Sequence, residues 1–357
     1  MSVEREEQPS RAPAAHRLVS AGRLLWLALA IAAAIAVATN VGELKGVAHT
    51  VASARWGFIA AAAGVEVLFV VNLALFYTTT FRASGVHADP RRFLLLTSAS
   101  HFVNLASKTG GLGGIALYLR ESRRTGESPV RVGAAYMIAY ALGYAAFFVV
   151  LILALVLLYA RGSLKPVEVA ASAVIVCIVA GLGTAIASGL RSQESLERLY
   201  LLAARPLNFV ARLVRRRPLV DSEAAHKTTT ELYEAATYMR QHPRRYVLPA
   251  FHALGVEVLS AAILYLMALS QRANIGFEAA LAAYAISLLF SMIAITPSGL
   301  GFVEASLSVL LVSFGMSPHP AIAAALEYRL FEFWLPVLLG ALSLLMLRYV
   351  QPETMAP

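Results

Sequence analysis

Long apolar stretches separated by short polar segments, many of them basic, make up most of this chain. A helix needs roughly 20 mainly apolar residues to cross a bilayer, so the pattern predicts an all-α polytopic membrane protein. Two further apolar regions are too interrupted to read as plain spans, because clusters of Gly and Pro divide them. The predicted full spans are residues 24–41, 56–81, 132–160, 169–190, 246–271 and 320–347, and the broken regions are 93–119 and 279–317.

Each broken region contains the same short motif, Gly-Leu-Gly. The first includes Gly110, Gly111, Gly113 and Gly114, and the second includes Pro297, Gly299 and Gly301. Non-helical backbone at membrane depth is tolerated only where protein covers it or where it lines a cavity. Interrupted segments at matching positions of two halves indicate the binding site of a transporter. We therefore expect both breaks to be structural and close to a site.

Basic residues flank the first break on both sides. Arg82, Arg91 and Arg92 precede it, and a predicted basic loop with Arg120, Arg123, Arg124 and Arg131 follows it. This placement favours a segment that enters the membrane and returns to the same face. For residues 279–317 an alternative stays open, in which the segment crosses twice with a kink at Pro297.

The two halves of the chain repeat one order of features. Residues 64–68 and 255–259 are both Gly-Val-Glu-Val-Leu, and the Gly-Leu-Gly motifs follow at a similar offset. Three full spans in each half would invert the second half relative to the first, so we predict an inverted-topology repeat in which each half also has one broken re-entrant hairpin. The predicted division is a disordered cytoplasmic tail over 1–23, a first repeat over 24–160, a second over 161–348 and a C-terminal tail over 349–357.

Composition and charge agree with a membrane protein. The chain is 59% hydrophobic and 14% charged, whereas soluble domains carry about 25% charged residues. With both breaks re-entrant, 23 of the 30 Lys and Arg residues fall on one face and five on the other. By the positive-inside rule both termini are cytoplasmic, in a multi-pass protein of the cell inner membrane. The net charge of +9 therefore reports topology and does not indicate nucleic acid.

Residues 191–245 form the one sizeable polar loop in this prediction. The loop holds 11 Lys and Arg against six Asp and Glu, and its segments 196–202 and 209–214 are amphipathic. Such segments lie on an anionic membrane surface.

Enzyme chemistry has little support in the sequence. Asp89 and Asp221 are the only aspartates, and metalloprotease, nucleophile-elbow and phosphate-loop motifs are absent. The single cysteine, Cys177, has the character of a small packing residue. We expect no catalytic residue, no metal and no cofactor.

The candidate site is a group of charges within apolar sequence. Glu304 follows the second break, where a helix N-terminus favours a carboxylate, and Arg329 and Glu332 are three residues apart on the last helix. With Glu327 this places three carboxylates around one guanidinium, which suits a cationic or polyol head group and a phosphate. A purely structural ion network is the alternative. Lys108 and Asn104, beside the first break, complete the predicted substrate-binding set.

Glu66 and Glu257 occupy equivalent positions in the two Gly-Val-Glu-Val-Leu segments. We predict a shared structural role for them, in which each satisfies backbone groups that the breaks leave free.

The run from Thr296 to Glu304, with Leu326-Glu327-Tyr328-Arg329 and Phe333-Trp334-Leu335-Pro336, resembles the lysylphosphatidylglycerol synthase transmembrane family, also called flippase-like. Residues 108–114 look like that family's first Gly-rich motif. The resemblance implies movement of lipids from the inner to the outer leaflet. Members that also synthesise the lipid carry a soluble aminoacyl-transferase domain; we expect this protein to be a stand-alone membrane domain that does not synthesise the lipid. Ser298 stands where the family pattern has Gly, which leaves that backbone less free.

The predicted function is therefore that of a flippase-like membrane protein that moves a lipid or lipid-linked head group through a site near the midplane. The alternative is a scaffold or subunit of an envelope-lipid system, of the polyprenyl-glycan or hopanoid kind, that recruits a lipid biosynthetic enzyme through residues 191–245. Removing the basic residues of that loop separates the two, since a scaffold would lose its partner and a flippase would keep transport.

Overall fold

The computed structural model describes residues 54–106, 113–160, 192–195, 197–198, 201–202, 222–293 and 301–349. All regular secondary structure within these ranges is helical. The principal helices are α1 (Trp56–Ala83), α2 (Pro90–Ala106), α3 (Ile115–Thr125), α4 (Pro129–Ala160), α5 (Ser222–Gln241), α6 (Val247–Ser270), α7 (Phe277–Ile293), α8 (Phe302–Ser313), α9 (Pro318–Arg329) and α10 (Leu335–Tyr349). A 3-10 turn, Pro243–Tyr246, precedes α6, and a π-helical segment, Leu330–Trp334, joins α9 to α10.

Four continuous helical stretches within these ranges are long and apolar enough to cross a membrane. They are Trp56–Ala83, Pro129–Leu157, Pro243–Ser270 and Pro318–Leu347, each within a few residues of a predicted span. The predicted spans 24–41 and 169–190 lie outside the described residues. Phe277–Ser291 and Phe302–Ser313, on either side of the second break, are shorter apolar helices, as the interrupted pattern indicates. The chain is an all-helical membrane protein.

Helices α1 and α6, which carry the two Gly-Val-Glu-Val-Leu segments, pack along each other. Asn72 on α1 donates to the carbonyl of His252 on α6 at 2.8 Å, and its amide oxygen lies 2.7 Å from the His252 Nδ1. A side chain at Gly255 would come within 2.9 Å of the Asn72 amide. The absence of a Cβ at Gly255 therefore makes room for a polar connection between two apolar helices.

The helix before each break packs on the last long helix of the other half. Helix α2 lies against α10, and α7 lies against α4. The approach of α2 to α10 is very close, because a Cβ on Gly340 would lie 2.3 Å from the Cβ of Phe102. Helix α7 is equally suited to close packing, since a run of its alanines is fully buried: Ala280, Ala282, Ala283 and Ala285.

Two stretches that the sequence pattern assigned to loops are helical. Helix α3 continues through Arg120, Arg123 and Arg124 and ends at Gly126, which adopts a left-handed φ of 73°. The three arginines are exposed, and Arg124 pairs with Glu121. Helix α5 occupies 20 residues of the polar region, which contain neither Gly nor Pro until Pro243 follows. Polarity was thus a poor guide to the backbone in both places.

Candidate functional site

Arg329 ends α9 within the long C-terminal apolar stretch, and its side chain is only 4% exposed. Its Nε donates to Glu304 Oε1 at 2.9 Å, and its Nη1 donates to Glu332 Oε2 at 2.7 Å. The guanidinium also lies 4.9 Å from the centre of the Phe333 ring, within range of a cation–π contact. We call Glu304, Arg329 and Glu332 the charge cluster.

The last helix is irregular where it carries Glu332. Between Leu330 and Trp334 the backbone is π-helical, and the Leu335 N–H bonds to the Leu330 carbonyl five residues back. Pro336 explains this locally, because it has no N–H to offer the Glu332 carbonyl and its ring crowds that carbonyl. Single π-helical turns are frequent at functional sites.

Glu304 reaches Arg329 from the first turn of α8. The helix begins directly after Gly301, whose φ of 81° is left-handed and therefore favours glycine. The helix N-terminus stabilises the carboxylate. One oxygen, Oε2, is buried and accepts no hydrogen bond from the residues that the structure describes.

Two other polar atoms near the cluster are buried and lack a hydrogen-bond partner among the described residues. One is Glu66 Oε1 on α1, and the other is the hydroxyl of Tyr328. Glu332 lies near Glu66, and the side chain of Tyr328 lies near both of these carboxylates. The residue Glu66 is only 2% exposed. The site therefore has unused hydrogen-bonding capacity in an interior where such capacity is costly.

Glu257, at the equivalent position of the other Gly-Val-Glu-Val-Leu segment, is in a different situation. Its Oε2 accepts a 2.8 Å hydrogen bond from the hydroxyl of Tyr284 on α7. The described contacts therefore link Glu257 to a side chain of its own half.

The remaining predicted site residues are distributed between several places. Glu327 faces away from the cluster and accepts hydrogen bonds from Ser270 Oγ at 2.8 Å and Gln271 Nε2 at 2.6 Å, at the end of α6. Asn104 connects the two sides of the first break, since it accepts from the Gly114 N–H at 2.7 Å and donates to the Tyr136 hydroxyl at 3.1 Å.

The described glycines of the first break are Gly113 and Gly114. A side chain at Gly114 would come within 2.9 Å of the Ser100 carbonyl oxygen on α2, so only glycine fits there. Lys108, Gly110, Gly111, Pro297 and Gly299 lie outside the described residues.

Sequence reasoning overlooked Tyr284, the unsatisfied hydroxyl of Tyr328 and the π-helical turn. A signal existed for the first, because a hydroxyl in an apolar helix needs a partner and Glu257 needed a donor. A signal also existed for the turn, since Pro336 follows Glu332 by four residues within a helix.

A second charge network lies at the polar end of α2 and α3. Glu121 accepts four hydrogen bonds, two from Arg92 and two from Arg124, at 2.6 to 3.1 Å. Burial raises the pKa of Glu121, but the hydrogen bonds and positive charges of Arg124 and Arg92 outweigh it and hold the pKa below its ordinary value. A cavity of about 350 Å³ lies beside this network. Both arginines that line the cavity are already paired with Glu121.

No group of three or more His, Cys, Asp or Glu side chains in the described ranges is arranged to hold a metal ion. The geometry of the charge cluster also differs from a metal site, because a guanidinium occupies the space between its carboxylates.

Comparison with known proteins agrees with this helical architecture. The chain is 27% identical over 162 residues to a UPF0104 membrane protein of Pyrococcus horikoshii, an overlap of 42% of this chain and 47% of that protein. The match thus spans about half the length of that relative. The family model of the lysylphosphatidylglycerol synthase TM region matches residues 25–340, which include every described element of the charge cluster. The chain therefore belongs to the lysylphosphatidylglycerol synthase transmembrane region family.

Proposed function

We propose that this protein moves an amphipathic lipid, or the head group of a lipid-linked molecule, between the leaflets of the membrane. The observation that carries the proposal is the position of Arg329, a guanidinium almost fully buried in an apolar helix bundle. Charged residues inside membranes cost about 2.5 to 3.5 kcal/mol on insertion scales and are usually functional.

The cluster has the chemistry to bind a lipid head group. A guanidinium binds phosphate through two parallel hydrogen bonds, and carboxylates bind ammonium or hydroxyl groups. In the described conformation Arg329 Nε donates to Glu304 and Arg329 Nη1 donates to Glu332. A phosphate would compete with these carboxylates for the guanidinium, so binding and release of the head group would rearrange the cluster.

The packing of the helices supports an inverted repeat that exposes the site to each side in turn. Contacts of α1 with α2 correspond to those of α6 with α7, and contacts of α2 with α10 correspond to those of α7 with α4. Helices α7 and α8, with 17 and 12 residues, are roughly 25 and 18 Å long at 1.5 Å per residue. Both are shorter than the hydrocarbon core of about 30 Å, which favours a re-entrant hairpin over two crossings.

We place the protein in the cell inner membrane. The distribution of its basic residues supports an orientation in which both termini are cytoplasmic. The paired arginines at the ends of α2 and α3 would then face the cytoplasm, together with α5. No ATP-binding motif occurs in the sequence, and we propose no direct use of ATP.

A leaflet-resolved lipid assay in proteoliposomes tests the proposal. We expect the purified wild-type protein to move fluorescent phospholipids or polyprenyl-phosphate lipids between leaflets. Glu304→Gln and Arg329→Lys should slow this movement at least tenfold, because each removes an ionic or forked interaction while keeping the side chain long. Movement at the wild-type rate in both variants would refute the site.

Glu121→Gln is the matched control, since it also alters a three-membered charge network but at the polar end of the bundle. It should retain the wild-type rate. A scaffold or biosynthetic subunit would instead give no lipid movement with any of these proteins. Capture of a lipid biosynthetic enzyme through the basic residues of 191–245 would then support that function.

A further inference from the structure

Glu66 and Glu257 have the same local sequence, but only Glu257 has a described hydrogen-bond donor. The Tyr284 hydroxyl binds Glu257 at 2.8 Å. Glu66 is more deeply buried, at 2% against 7% exposure, and its Oε1 has no partner among the described residues. The two carboxyl groups therefore differ in their described hydrogen bonds although their local sequences are the same.

The surroundings of Glu66 disfavour its charged form. Glu332, from the π-helical segment that contacts α1, presents a second negative charge. Arg329 is the compensating cation, but its described donors bind Glu304 and Glu332. A buried carboxylate with neither a donor nor a cation of its own is held far more easily as the neutral acid.

The other elements around α1 supply ionisable groups that are engaged elsewhere. Helix α2 presents His101, which packs its ring on Phe69. Helix α4 presents Tyr136, which lies against Tyr77 and binds Asn104.

Three further groups complete the surroundings. Helix α6 presents Glu257, already bound by Tyr284. The 3-10 turn presents Tyr246, which binds Ser84 at the far end of α1. At the end of α9, next to the π-helical segment, the Tyr328 hydroxyl interacts with both Glu66 and Glu332.

We infer that Glu66 is a proton-binding residue that couples exposure of the charge cluster to pH, which rests on the proposed transport function. In the described conformation the carboxyl group holds one proton. When the site opens to water, the O–H bond breaks, the proton passes to water, and the carboxylate becomes hydrated. The site then turns to the other side with Glu66 ionised and the head group bound, and a proton from the water of that side re-forms the O–H bond. The return step carries this proton back through the closed conformation, so one proton crosses in each cycle.

The first test needs no transport and no mutation. A hydrophobic carbodiimide reacts with protonated carboxyl groups in apolar surroundings, and mass spectrometry identifies the modified residue. We expect labelling of Glu66 in the wild-type protein in vesicles, with labelling decreasing as pH rises. Glu332, which is paired with Arg329, should stay unmodified and serves as the internal control. An unlabelled Glu66 at every pH would overturn the inference.

The second test measures the lipid ratio between leaflets in vesicles with a pH difference. For one coupled proton, each pH unit should shift the steady-state ratio up to about tenfold. Glu66→Gln imitates the neutral acid and should abolish this shift, leaving a ratio close to one. Glu257→Gln is the matched control and should keep the shift, as should Glu66→Asp, which retains a carboxyl group if the Gln variant fails to fold.

The outcomes separate the two proposals. Absence of lipid movement by the wild-type protein, with pH-dependent labelling of Glu66, would contradict the transport function and leave the proton site intact. Lipid movement with a pH-dependent ratio that persists in Glu66→Gln would contradict the proton site and leave the transport function intact.

Discussion

The protein contains two three-membered charge networks of opposite composition. One places Glu121 between two arginines at the polar end of α2 and α3, and the other places Arg329 between two glutamates within the apolar bundle. The first is saturated, because Glu121 accepts four hydrogen bonds. The second leaves Glu304 Oε2 unused among the described contacts although it is buried. A saturated network is what a structural role requires, whereas unused capacity in the interior is what the proposed head-group site requires.

The largest expected effect on stability comes from Arg329→Met. This change leaves Glu304 and Glu332 buried without their cation, which should lower the free energy of unfolding by about 3 to 5 kcal/mol. Thermal unfolding in detergent, followed by size-exclusion chromatography, measures the loss.

Neutralising the two glutamates in the same protein sharpens the result. The triple variant with Glu304→Gln and Glu332→Gln should recover most of the stability but none of the lipid movement. Recovery of both would mean that the cluster is only a structural network.

The next effect concerns the turns that support each network. Gly301→Ala forces a Cβ into a left-handed conformation at the start of α8 and should cost about 1 to 2 kcal/mol, while displacing Glu304 and slowing lipid movement. Gly126→Ala, at a φ of 73° after α3, should cost a similar amount without slowing it. Equal transport in the two variants would count against a functional difference between the networks.

A smaller effect is expected for Glu121→Gln. Loss of this partly exposed network should cost about 1 kcal/mol and less in high salt. Because the folded-state pKa of Glu121 lies below its ordinary value of 4.5, its contribution is present above that value and is lost as pH falls through the folded-state pKa. Urea unfolding across this pH range should therefore show a steeper acid loss in the wild-type protein than in the variant.

The smallest change in stability, with a disproportionate change in function, is expected for Pro336→Ala. Restoring the N–H allows the Glu332 carbonyl to accept an ordinary helical bond and removes the reason for the π-helical turn. Stability should stay within about 0.5 kcal/mol of the wild type or rise. Lipid movement should fall, because an ordinary helical turn changes the direction of Glu332 relative to Glu304 across the site. Normal transport by this variant would show that the charge cluster does not need the π-helical turn to function.

The long apolar helices were predictable because span length is set by bilayer thickness and is visible in hydropathy alone. The pair Arg329 and Glu332 was also predictable from its spacing of three residues. Helices α3 and α5 were missed because charge was read as loop, although neither contains a breaker before Gly126 or Pro243. For an amphipathic helix, the positions of Gly and Pro predict where the helix ends better than the polarity of its residues does.

The partners of the carboxylates were harder to predict. Glu327 lies on the same helix as Arg329. It nevertheless accepts hydrogen bonds from Ser270 and Gln271 at the end of α6, 57 and 56 residues away in sequence. Such pairings depend on helix crossings that no local pattern encodes. Likewise, the identical local sequence around Glu66 and Glu257 predicted one environment for both, and the difference in their hydrogen bonds arises from Tyr284 on a neighbouring helix. Whether the charge cluster binds a lipid stays a prediction.

The double contact between Asn72 and His252 has a mechanical consequence for any transport cycle. Two hydrogen bonds join these side chains, and Gly255 leaves the room that they need. The bonds resist both sliding and rotation of α1 against α6. Helices α1 and α6 would then keep their relative position, and the surrounding helices would move relative to this pair. A disulfide engineered between α1 and α6 should leave transport unchanged, whereas a disulfide between α2 and α10 should abolish it.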